Sequence, residues 1–84
     1  MISKNMTINI PKGLDVRPVA VLVQVANQYE SSIYVEIHEK KVNAKSIMGM
    51  MSLALVQGEE ITIIANGPDE QDAVNAIDKY ISKQ

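Results

Sequence analysis

The sequence predicts an α+β open-faced sandwich, a four-stranded antiparallel sheet with helices on one face, in the order β-α-β-β-α-β-α. Three observations predict it. Apolar and polar residues alternate over 6–10 and again over 31–37, the period of a half-buried strand. Apolar residues recur at helical spacing over 16–29 and again after residue 69. No repeat, low-complexity segment or linker interrupts the 84 residues, so the chain reads as a single domain over 1–84.

The elements follow in order. Met6, Ile8 and Ile10 alternate with Thr7 and Asn9 in a first strand, which the Pro-Lys-Gly at 11–13 breaks. A first helix over 16–29 has no internal Gly and turns Val19, Leu22, Val23 and Ala26 to one side. Ile33, Val35 and Ile37 alternate with Tyr34 and Glu36 in a second strand, and a short third strand surrounds Val42. Residues 46–53 form a short helix opened by Ser46, an N-capping residue type. Residues 59–65 give a fourth strand and 66–69 a turn. Asp69 then caps a last helix with Ala73, Ala76, Ile77 and Tyr80 inward.

Composition removes several function classes. The chain has no Cys, so disulfides and thiolate metal sites are unavailable, and a domain this small rests on ordinary packing. A net charge of -2 opposes the basic footprint of a nucleic-acid binder, and three Tyr without Phe or Trp offer little for base stacking. No apolar run approaches the ~20 residues that span a bilayer. The first residues alternate in polarity and lack a secretory apolar core. The expectation is a cytoplasmic protein with no cofactor or metal and no direct nucleic-acid or membrane contact.

Residues 13–20, GLDVRPVA, resemble an anion-binding turn. Free amides and the positive end of the helix dipole favour an anion there, Arg17 adds a guanidinium fork, and Pro18 loses nothing in a first turn. Asp15 is the misfit. From the residues alone it is an N-cap accepting from the Arg17 amide, or an ion partner of Arg17.

Together with KKVNAKSIMGMMSLA at 40–54, this turn makes the chain resemble the HPr family of the bacterial sugar phosphotransferase system, over almost its whole length. In that family the first motif reads Gly-Leu-His-x-Arg-Pro-Ala, where the His carries a phosphoryl group and the Arg steadies it. Gly13, Leu14, Arg17 and Pro18 are kept, Val19 replaces a usually small residue, and Asp15 stands in place of the His. The only His, His38, lies far from this turn, at a strand end where exposure is expected. The resemblance therefore implies a retained anion contact at Arg17 and a degenerate phosphoacceptor position at Asp15. Members of the family's catabolite-repression branch have lost the same His and usually carry Gln there.

In Gram-positive members, the Ser of the second motif is phosphorylated by HPr kinase/phosphorylase, and the product acts as corepressor with the regulator CcpA. The resemblance carries phosphorylation onto Ser46, with no catalytic activity in the chain itself. Ser46 as a mere cap is the competing reading. Lys45, beside it, is expected to screen part of the added charge. Ile47, Met48 and Met51 match a family docking patch for kinase, regulator and metabolic-enzyme partners, completed by Ala20 and Gln24 on the first helix. A Met stripe at helical spacing more often reads as core, yet so short a helix cannot bury all its apolar side chains. Val21 and Val25 enlarge the expected patch, and Gly49 allows close packing.

Two other functions fit the same residues. A phosphocarrier would phosphorylate Asp15 as an acyl phosphate, a chemistry that usually recruits a metal between carboxylates. An unrelated interaction module would share only the topology. A fixed negative charge at Asp15 also partly imitates a phosphorylated His, a state that in the family disfavours signalling to CcpA.

Overall fold

The computed structural model describes residues 1–10, 16–53 and 56–82, with only the backbone described at 16 and 17. Its elements are β1 (Ile2–Thr7), α1 (Val16–Asn27), β2 (Ser32–Ile37), β3 (Lys40–Asn43), α2 (Ile47–Met51), β4 (Glu60–Asn66) and α3 (Glu70–Ser82). This is the predicted order.

The four strands form one antiparallel sheet in the order β1-β4-β2-β3. The registers place Met6 opposite Ile61, Ile63 opposite Val35 and Val35 opposite Val42, all on the inner face. Ile33, Val35, Ile61, Ile63 and Ala65 are buried there against α1, α2 and α3. The opposite face carries Ser3, Asn5, Glu36, Lys41 and Glu60, all exposed. One dry face and one wet face produce the period-two pattern seen in β2 and β4.

β1 departs from the expected strand over 6–10. It begins at Ile2 and ends at Thr7, and its first half shows no hydrophobic alternation because Lys4 occupies an inward register position. The Lys4 ammonium is satisfied there by Asp78 of α3, at 2.7 Å. Ile8 and Ile10 remain buried beyond the strand, and the Ile8 and Asn9 amides donate to Glu59 and Ile81 carbonyls.

α1 buries Val19, Leu22, Val23 and Ala26, as its spacing predicts. It stops at Asn27 rather than Tyr29, where the Gln28 and Tyr29 amides turn back to the Val25 and Ala26 carbonyls in a tighter final turn. The β2–β3 hairpin turns at His38, whose φ of 55 is uncommon for a residue with a side chain. α3 buries Ala73, Val74, Ile77 and Ile81, with Ala76 and Tyr80 half-buried, so its inner face includes Val74 and Ile81 as well.

The expected Asp69 cap takes a different form. Its carbonyl opens α3 by accepting from the Ala73 amide, but its carboxylate reaches the amides of Glu30 and Ser31 and the Ser31 hydroxyl. That arrangement clasps the α1–β2 loop to the β4–α3 loop. Gly67 is essential to it, because a Cβ there would stand 2.5 Å from the Ser31 hydroxyl oxygen.

Candidate functional site

Ser46 terminates the segment that leaves β3. The Ala44 amide donates to Ile33 and buries residue 44, and the Lys45 amide donates to the Asn43 side chain at 2.8 Å. Ser46 then adopts an extended conformation (φ -109, ψ 115), and its hydroxyl oxygen accepts from the Gly49 amide at 3.1 Å. It is the predicted N-cap of α2 and is half-buried. A Cβ on Gly49 would lie 3.4 Å from that oxygen, which is ordinary contact. Ser52 closes the helix, its hydroxyl donating to the Gly49 carbonyl at 2.6 Å.

α2 contains five residues, so one turn decides what faces in. Met50 is fully buried, whereas Ile47, Met48 and Met51 are exposed by 46%, 84% and 50%. The core reading of the Met stripe therefore holds for Met50 alone. α1 packs directly beside α2. On α1, Gln24 is exposed, Ala20 half-buried and Val21 exposed at 36%. Val25 packs against the core, so the apolar surface is enlarged by Val21 and not by Val25.

Two further contacts were illegible in the sequence. The Tyr80 hydroxyl of α3 donates to the Pro18 carbonyl in the first turn of α1, at 3.3 Å, and burial raises its pKa. A Tyr at core spacing gives no sign of which carbonyl its hydroxyl will find. The Lys45 ammonium donates to the Tyr29 carbonyl at 2.6 Å in the unphosphorylated chain. Asp15 and the Arg17 side chain lie outside the described residues, so the readings of the anion turn stay where the sequence left them.

His38 sits in the hairpin turn with an exposed side chain, 3.5 Å from a Glu59 carboxylate oxygen. Among the described residues, no group of three or more His, Cys, Asp or Glu side chains could hold a metal ion. No described helix is long and apolar enough to cross a membrane.

A small α+β sheet covered by three helices, with a capping Ser at the start of its shortest helix and exposed Met beside it, is the arrangement of an HPr-like domain. Residues 2–83 match the family described as the HPr component phosphorylation site of the phosphotransferase system, and the chain belongs to the HPr family. Among its relatives, it is similar to the HPr-like protein Crh of Halalkalibacterium halodurans, 48% identical with both chains covered in full. It is also similar to Crh of Bacillus subtilis, at 44% identity over all of this chain and 99% of the relative. Among solved structures, the phosphocarrier HPr of Bacillus anthracis superimposes with a TM-score of 0.94, at 42% identity and 96% coverage of both chains.

Proposed function

We propose that this chain is a cytoplasmic regulatory HPr of the catabolite-repression type, phosphorylated on Ser46 by HPr kinase/phosphorylase and then acting as corepressor with a CcpA-type transcriptional regulator. The observation that carries the reading is the pairing of a half-buried capping hydroxyl with the exposed apolar side chains of Ile47, Met48 and Met51. The Crh relatives, similar over their full length, support the regulatory branch.

The chemistry is consistent with a switch. A phosphate on Ser46 adds between one and two negative charges, roughly, next to the free amides that begin α2, where an anion is tolerated. The fold need not change for a partner to notice it. Met side chains beside it adapt to partners of different shape, which suits a surface read by a kinase, a regulator and metabolic enzymes. Ala20, Gln24 and Val21 extend that surface along α1. Arg17 is the retained anion contact. Without an imidazole at residue 15, phosphohistidine transfer by the family's mechanism is unavailable, and the chain needs no catalytic activity of its own.

The test is incubation with HPr kinase/phosphorylase and ATP, followed by intact mass and site mapping. The expected result is one acid-stable phosphate on Ser46 and binding of that form to the CcpA-type regulator. No phosphate on Ser46 sinks the reading. A hydroxylamine-labile phosphate on Asp15 would support the carrier alternative.

A further inference from the structure

The residue before Ser46 is held on three sides. Its amide donates to the Asn43 side chain at 2.8 Å, and its ammonium donates to the Tyr29 carbonyl at 2.6 Å. Its carbonyl accepts from the Asn27 side-chain amide at 3.4 Å, while the same nitrogen donates to the Val23 carbonyl at 2.9 Å. Val23 and Asn27 belong to the last two turns of α1, and Tyr29 follows its end. The Tyr29 carbonyl lies just past the end of α1, near the negative end of the helix dipole, where an ammonium is favoured.

The two neighbouring side chains have different partners: the Ser46 hydroxyl accepts from the Gly49 amide, while the Lys45 ammonium donates to the Tyr29 carbonyl just past the end of α1. A cation moving to an exposed phosphate would gain a water-screened pair and abandon a half-buried carbonyl.

We propose that Lys45 is a positioning residue: its ammonium fastens the Ser46 segment to the C-terminal end of α1 and stays there after Ser46 is phosphorylated, leaving the phosphate's charge unneutralised for a partner. The proposal rests on the phosphorylation of Ser46 proposed above. It assigns the cation nearest in sequence to the scaffold, and it fixes Ser46 relative to the α1 side of the docking surface.

Lys45→Met keeps the stem and removes the charge, so it separates the two roles. In the unmodified protein, the amides of Gln28, Tyr29 and Ser46 should exchange with solvent about tenfold faster relative to that of Ile63. In the phosphorylated protein, the phosphoserine titration followed by phosphorus NMR should keep its midpoint within about 0.1 unit of that of the unaltered chain. Lys45→Arg should restore slow exchange. A midpoint raised by about 0.3 unit or more in Lys45→Met would place the ammonium on the phosphate and overturn the proposal. Exchange that changes no more at Gln28 and Tyr29 than at Ile63 overturns it too. If Ser46 takes no phosphate, the functional reading fails, and the exchange measurement still judges the clasp.

Discussion

Asp15 puts a carboxylate where the family motif has an imidazole, and the proposed function rests in part on that replacement. In sequence it stands two residues before Arg17. A charge there should oppose a partner arranged to accept a phosphoserine beside a neutral residue. Asp15→Gln is therefore expected to tighten binding of the Ser46-phosphorylated protein to the CcpA-type regulator by roughly three- to tenfold at low salt, less as salt rises. Titration calorimetry decides it, and equal affinities for both proteins would end the idea that Asp15 imitates a phosphorylated His. The residue scale is also where sequence reading went furthest. Ser46 was legible as a cap from its type and its place before an apolar run, and the structure gives it that bond. The destination of the Lys45 ammonium was not legible, because a carbonyl sixteen residues earlier leaves no trace in local pattern.

α2 is an element too short to state its own orientation. Five residues make little more than one turn, and four of them are large and apolar, so periodicity cannot distinguish buried from exposed. Packing against α1 and β3 decides the matter, with Met50 inside and Met48 outside. The two positions should then respond oppositely. Met50→Ala leaves a cavity in the core and should cost about 2 to 5 kcal/mol in urea unfolding. Met48→Ala should change stability by no more than about 0.5 kcal/mol while weakening binding to the kinase or regulator. A Met48 variant that binds both partners normally would remove Met48 from the docking surface. Longer elements were more readable. β2 has one wet and one dry face, so its alternation gave both type and orientation. β1 concealed its first half because a charged residue points inward to a partner seventy-four positions away.

At the scale of the whole molecule, two carboxylates tie its parts together and make the fold sensitive to acid. The Ser31 hydroxyl and then the Glu30 amide hold the Asp69 pKa below its usual 3.8, and the Gly67 amide and then the N-terminal amine hold that of Glu70 below 4.5. A carboxylate with a lowered folded-state pKa contributes stability that is fully present above its unfolded value. That contribution is lost as pH falls through the folded one. Stability should accordingly hold steady near neutrality and decline below about pH 4 to 5. Asp69→Asn, which keeps the shape but loses an acceptor oxygen, should be less stable at pH 7 and decline less steeply in acid. An acid limb as steep as that of the unaltered protein would exclude Asp69 as its source. The strand order has a consequence for how the chain is made. β4 lies between β1 and β2, so until it emerges from the ribosome β1 has no partner and one edge of β2 stands open. Seven residues then complete two ladders together. Before they arrive the nascent chain has only the β2–β3 hairpin, and a lone hairpin is marginal in water. The first strand therefore stays unpaired until residues 60–66 have been made, more than fifty residues after its own.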